Sequence, residues 1–282
     1  MRGADEIAFQ IITLMENTSP TDCLAAEHGL SLLIQGEGRK VLYDTGASPR
    51  FLLNAKNLEV DLRGLDALVL SHGHYDHTGG AATLLAGSLR PRTGDLGPNF
   101  FGERYVRRTD GVEEIGSLLE RDTLERSEVP WAVVGAEPLN LGGGMWLVSG
   151  FASTEEVERP SPRMLRRVGG RMVTDPFEDE VVVVLEGREG LTLISGCAHV
   201  GILSMCARVS KLFGRPVTGF VGGTHLMAAD DDRVRYTCER LRERGMTRLG
   251  ACHCNGERAS AYFQEHFPGF FRNNVGARVE IE

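Results

Sequence analysis

The sequence predicts an α+β fold, and three observations carry that prediction. Short runs of β-branched and aliphatic residues bounded by turn residues, at 30–34 and 181–185 among others, have the length of strands. Longer stretches place apolar residues at helical spacing, most clearly Ile202, Cys206, Val209 and Phe213. Each half of the chain is strand-rich first and helical afterwards. With 282 residues, 41% hydrophobic and 25% charged, the composition is that of an ordinary globular protein able to bury a sizeable core, and we expect one domain over 1–282.

The elements follow in order. Residues 7–14 and 30–34 read as strands, and 40–43 as a third after the turn Gly36-Glu37-Gly38. Residues 50–58 read as a short helix and 68–70 as a buried strand. A segment opening at Thr78-Gly79-Gly80 turns helical and ends near Gly87. From about 88 to 144 the pattern is irregular, broken by Arg90-Pro91-Arg92, Gly97-Pro98, Pro130, Pro138 and Gly142-Gly143-Gly144. A structureless insertion of that length does not suit a compact domain, so short strands and turns are expected, forming a lid or wall over a site. The glycine triplet lacks the strand and lysine of a nucleotide loop and reads as a turn. A strand resumes at 145–149. A buried hairpin follows at 181–185 and 191–194, then a helix at 202–213 and a strand at 217–221. Asp230-Asp231-Asp232 gives an acidic first turn to a helix running through Leu241. Residues 248–251 form the next strand and 257–266 the last helix.

Function concentrates in Ser71-His72-Gly73-His74-Tyr75-Asp76-His77-Thr78-Gly79-Gly80. Only eight histidines occur in the chain, and three fall within six positions together with an aspartate, directly after an apolar strand. A polar surface loop would explain the polarity but not the clustering. Side chains two apart in extended backbone point the same way, so His72 and His74 can grip one ion together. Asp76 and His77 come after a turn and suit a second. Imidazoles favour zinc, iron and other late first-row cations, and the carboxylate makes the second site harder. His199, His225 and His253 each stand just beyond a strand, where one sheet edge can gather them. His266 lies in a helix pattern and reads as a bystander. Cys206 and Cys238 sit at helical core positions, and Cys252-x-Cys254 is too short for a zinc knuckle.

The ten-residue motif resembles the metal-binding signature of the metallo-β-lactamase superfamily, and Val41-Leu42-Tyr43-Asp44-Thr45-Gly46 resembles its first strand motif. Glu27-His28-Gly29-Leu30-Ser31, Ser195-Gly196-Cys197-Ala198-His199-Val200-Gly201 and Ala251-Cys252-His253-Cys254-Asn255-Gly256 are similar to the 7,8-dihydropterin-6-yl-methyl-4-(β-D-ribofuranosyl)aminobenzene 5′-phosphate synthase-like subfamily. The resemblance runs from about Glu27 to Asn255. It implies a four-layer αββα sandwich and two divalent metal ions, zinc first, with iron or manganese as alternatives. Family order then implies His72, His74 and His199 at the first ion and Asp76, His77 and His253 at the second. His225 would stand by the substrate as proton donor or charge stabiliser, the reverse assignment of His225 and His253 remaining open. Asp76 and His225 are the implied catalytic residues. The family's bridging aspartate is replaced by Cys197, either a soft ligand or a packed thiol. Asp44 would hold an imidazole N–H or cap the Thr45-Gly46 turn. The implied chemistry is hydrolysis by a metal-bound hydroxide, or displacement of diphosphate from a dihydropterin methyl carbon by an aryl amine, with the metals clamping the diphosphate. Alternatives are a phosphodiesterase on a cyclic or nucleic-acid phosphate, and a non-catalytic metal- or ligand-binding sensor.

Composition narrows the partners. A net charge of −8 argues against nucleic acid. The clusters Arg163, Arg166, Arg167, Arg171 and Arg104, Arg107, Arg108 point instead to a small anionic substrate, the alternative being a solvated charged face. No apolar run approaches the ~18–20 residues that span a bilayer, so no membrane is expected. The start Met1-Arg2-Gly3-Ala4-Asp5-Glu6 lacks the layout of a signal peptide, and the six cysteines show no disulfide framework, so a cytoplasmic protein is expected. Replacing His72 and His74 together by alanine should remove at least one equivalent of bound metal, measured by elemental analysis of the purified protein. Full occupancy in that variant would contradict the ligand assignment.

Overall fold

The computed structural model describes residues 8–282. The first strand, β1 (Phe9–Met15), therefore begins within the expected segment, whose Ile7 lies outside the described residues. It is followed by β2 (Ser31–Gly36), β3 (Arg39–Tyr43), helix α1 (Arg50–Asn57), β4 (Ala67–Val69), the single-turn α2 (Tyr75–Thr78), α3 (Ala81–Ala86) and β5 (Thr93–Leu96). The irregular stretch resolves into β6 (Arg104–Arg108), β7 (Gly111–Glu114), α4 (Arg121–Arg126), β8 (Trp131–Val133) and β9 (Leu139–Gly142). Beyond it come β10 (Met145–Val148), β11 (Met164–Val168), β12 (Arg171–Thr174), β13 (Val182–Glu186) and β14 (Leu191–Ser195). The chain ends with α5 (Ile202–Phe213), β15 (Val217–Gly223), α6 (Asp231–Glu243), β16 (Arg248–Cys252), α7 (Glu257–His266) and β17 (Arg278–Ile281).

Two sheets face each other, one of order β17-β1-β2-β3-β4-β5-β8 and one of order β16-β15-β14-β13-β10-β9. Side chains alternate across each strand, and the alternation assigns the layers. Leu32 and Ile34 of β2 meet Val183 and Leu185 of β13 in the core between the sheets. Leu33 turns outward onto Phe51 and Ala55 of α1 and Leu84 of α3. Val182 and Val184 turn outward onto a second helical layer that includes Ile202 and Val209 of α5, Val234 of α6 and Phe263 of α7. Helix, sheet, sheet, helix is the αββα order expected. No helix among the described residues is long and apolar enough to cross a membrane.

Connectivity places the site. β3, β4 and β5 run parallel, as do β14, β15 and β16. The loops leaving β3, β4, β14, β15 and β16 therefore all emerge at strand C-termini, the edge where ligands gather in sheets of this kind. A third, antiparallel sheet of order β12-β11-β6-β7 abuts that edge. It is joined there by a bridge between His74 and Gly116 and by the Tyr75 N–H donating to the Ile115 carbonyl at 3.1 Å.

Candidate metal centre

The site begins with Asp44, just past β3. Its carboxylate accepts the Ser71 N–H at 2.7 Å, fixing the loop that leaves β4, and lies 2.6 Å from His77 Nδ1, fixing that ring. A side chain at Gly196 would collide with Ser71 Oγ, so glycine there lets the loop after β14 approach. Asp76 and His77 do not follow a turn as expected from the sequence. They lie within the single turn of α2, whose N-cap is His74. Nor do His72 and His74 share the extended strand expected: the backbone bends at 72–73 and the His74 N–H donates to the His72 carbonyl at 3.1 Å, which brings the two rings together instead.

Two donor groups result. His72 Nε2 lies 3.0 Å from His74 Nδ1 and 3.3 Å from His199 Nε2. Ser71 Oγ engages His72 Nδ1 at 2.9 Å, leaving Nε2 to face the other two rings. In the second group Asp76 Oδ2 lies 3.2 Å from His253 Nε2 and 3.7 Å from His77 Nε2. His253 Nε2 is buried without hydrogen-bonding geometry to any partner, as are His199 Nδ1 and His225 Nδ1. Buried imidazole nitrogens gathered this closely, with His253 Nε2 left unpaired beside a carboxylate, fit a set of cation ligands.

The surroundings tune each ring. Burial holds His72 and His199 well below the usual imidazole range and His74 at about 3, so these nitrogens are neutral and free to donate electron pairs. His77 is also penalised by burial, but the Asp44 and Asp76 carboxylates prevail and raise it. Burial opposes ionisation of Asp76, yet His77, His253 and His28 hold it well below the usual carboxylate range. The second group therefore sits in a field that favours positive charge.

Outer contacts set the rings' positions. The His199 and Val200 N–H groups donate to Glu180 at 2.7 and 3.1 Å, and the His199 ring stacks on Phe177 with centroids 3.9 Å apart. Burial pushes Glu180 up to about 8. The His253 N–H donates to Glu16 at 2.7 Å, and Asn17 Oδ1 lies 2.9 Å from His253 Nδ1. The His225 ring is 4.2 Å from that of His199 but belongs to neither triad, and its own N–H donates to Cys254 Sγ at 3.2 Å.

Sequence reasoning gave His28 no role. Its Nε2 lies 3.2 Å from Asp76 Oδ2 at the mouth of the site. The signal available was its place in the Glu27-His28-Gly29 segment. Cys197 is buried with its Sγ 3.4 Å from His77 Nε2.

The donors open onto a pocket of about 110 Å³ whose rim includes Tyr75, Val106, Arg108, Ile115, Met164 and Met227. A wider groove of about 520 Å³ beside the β2–β3 turn is shallower and gathers no comparable donor set among the described residues. The arginine clusters expected to bind an anion are largely engaged elsewhere. Arg104 is buried 3.1 Å from Asp175 and 2.8 Å from Asp179, Arg166 pairs with Glu178, and Arg167 with Glu103. Asp179 also accepts the Gly73 N–H at 2.7 Å, so Arg104 braces the histidine loop from behind. Arg108 alone of these reaches the pocket rim, and it also pairs with Glu113.

A family profile described as "Metallo-beta-lactamase superfamily" matches residues 25–87. Over 266 residues the chain is 30% identical to the 7,8-dihydropterin-6-methyl-4-(beta-D-ribofuranosyl)-aminobenzene-5'-phosphate synthase of Methanocaldococcus jannaschii, covering 90% of each protein. It is 27% identical to an uncharacterized protein of the same organism, covering 95% of this chain and 98% of that one. Among solved structures it resembles Tm1679, "a metal-dependent hydrolase of the beta-lactamase superfamily". The TM-score there is 0.84 at 29% identity, covering 97% of this chain and 99% of that one. A diphosphatase from the PhnP family shares the fold at a TM-score of 0.55 and 14% identity, covering 97% of each chain. Asp44→Asn should weaken metal affinity by about 10–100-fold, because the ring it aims would lose its anchor. Competition against a chelating dye measures this, and unchanged affinity would remove Asp44 from the positioning role.

Proposed function

Because this chain belongs to the metallo-β-lactamase superfamily, we propose that it is a metal-dependent enzyme acting on a small anionic substrate. The observation that carries this reading is the convergence of His72, His74 and His199, and of Asp76, His77 and His253, at one pocket, with His253 Nε2 buried and unpartnered. His72, His74 and His199 would hold one divalent cation, and Asp76, His77 and His253 the other. Zinc suits the imidazoles, and the Asp76 carboxylate admits iron or manganese. Such cations supply Lewis acidity toward water or a diphosphate.

The chain's own residues would do the rest. Val106, Ile115, Met164 and Met227 give the pocket apolar lining beside its polar donors, the mix that small-molecule sites use. Arg108 at the rim would meet the substrate's negative charge. His225 stands beside the first triad with Nδ1 unpartnered, placed to give or take a proton. The likeness to the M. jannaschii synthase supports a dihydropterin diphosphate as electrophile and an aryl amine as nucleophile. In that reaction the C–N bond forms as the C–O bond breaks. Diphosphate leaves with the electron pair, and the proton released from nitrogen passes to His225. The likeness to Tm1679 favours a second reading, hydrolysis of a small ester at the same centre. We place the protein in the cytoplasm, a setting in which its six free thiols would persist.

Incubating metal-loaded protein with dihydropterin diphosphate and an aminobenzoate-type amine, beside generic phosphodiester, thioester and lactone substrates, separates the readings. Metal-dependent release of diphosphate with a coupled product is expected. Turnover of the generic esters alone would favour hydrolysis. Tight pterin binding without any turnover would mark a sensor. His225→Ala should keep both metal equivalents while lowering kcat by about 10²–10⁴-fold. Loss of one equivalent would instead move His225 into the ligand set and release His253.

A further inference from the structure

We propose that Cys197 supplies a thiolate bridge joining the two cation positions, and so selects soft or borderline cations. The inference rests on the two-cation reading above. Among the described residues, Cys197 alone belongs both to a group with His72 and His199 and to a group with His77 and His253. Within each group all donor atoms lie within 4.8 Å of one another. Its Sγ is 3.4 Å from His77 Nε2.

The other buried anions are spoken for. Asp44 is divided between the Ser71 N–H and His77 Nδ1, and Glu180 between the His199 and Val200 N–H groups. Asp76 forms its tight donor group with His28 and His253. Two divalent ions held mainly by neutral imidazoles repel each other, and an anion shared between them relieves that repulsion. Cys197 is the group placed to do so.

It also differs from the chain's packing cysteines. Cys206, Cys238 and Cys252 belong to apolar clusters, whereas Cys197 is buried outside all of them, facing histidines. Cys254 is the competing ligand, because Cys197, His225 and Cys254 form a third donor group of the same tightness. A thiolate ligand draws zinc, cobalt and ferrous iron ahead of magnesium or manganese, and the thiol proton leaves to solvent as the ion binds.

Cobalt titration of the metal-free protein tests this. A near-ultraviolet thiolate-to-cobalt charge-transfer band should grow through the second equivalent, since a thiolate on one ion only would saturate at the first. Cys197→Ser should abolish the band, and Cys254→Ser should leave it. Cys197→Asp should take up two equivalents without the band and narrow the preference for zinc over manganese, a result that also shows the fold intact. Full cobalt loading without a band would overturn the bridge alone. A band that survives Cys197→Ser but disappears in Cys254→Ser would overturn it in favour of the Cys254 group. Failure to bind cobalt at all would overturn the two-cation reading, and the bridge with it.

Discussion

Asp44 sits at φ 59°, in the left-handed region, and divides one buried carboxylate between the backbone of the loop after β4 and the ring of His77. Those two bonds tie neighbouring strand ends together and aim His77 of the second donor group. Backbone strain gathers around the same edge. Phe177, Ala198, His225 and His253 also have positive φ, each carrying or touching a residue of the centre. Such conformations cost on the order of 1–3 kcal/mol apiece and persist only where the surroundings fix them. Here the strands behind the loops do so, because β3, β4, β14, β15 and β16 end together in buried residues.

The two donor groups differ in character for a physical reason. His72, His74 and His199 are kept neutral by burial, and Phe177 and Glu180 hold the last of them in place. The other group contains Asp76 and lies against Asp44, so the local field there favours a positive charge. One group is all imidazole and neutral, the other carries a carboxylate, and Cys197 reaches residues of both. The braced third sheet turns the same centre into a pocket with an apolar rim, through Arg104 and Asp179 behind the histidine loop and Ile115 beside it.

Much of this was legible in the sequence. Period-two alternation in strands such as 30–34 and 181–185 reports layers directly, and α5 and α7 have the bounds that their apolar spacing predicts. The histidine motif was readable because its residues are local. The start of α2 was not, since His74 at the N-cap offers no capping side chain to announce a helix. Nor could spacing place His28 against Asp76 or Cys197 between the triads, contacts that only tertiary structure creates. Sequence could not tell which arginines are structural, because the partners of Arg104, Arg166 and Arg167, namely Glu103, Asp175, Glu178 and Asp179, lie across strands and loops. The stretch 88–144 was opaque because its short, exposed strands are shared among all three sheets, so no single apolar pattern runs through it.

The central claim is that one pocket holds two cations on two distinct triads. Anomalous diffraction from crystals of the zinc-loaded protein addresses it most directly. Two peaks are predicted, one enclosed by His72, His74 and His199 and one by Asp76, His77 and His253. A single peak, or a peak whose nearest donors are other residues, would contradict the account.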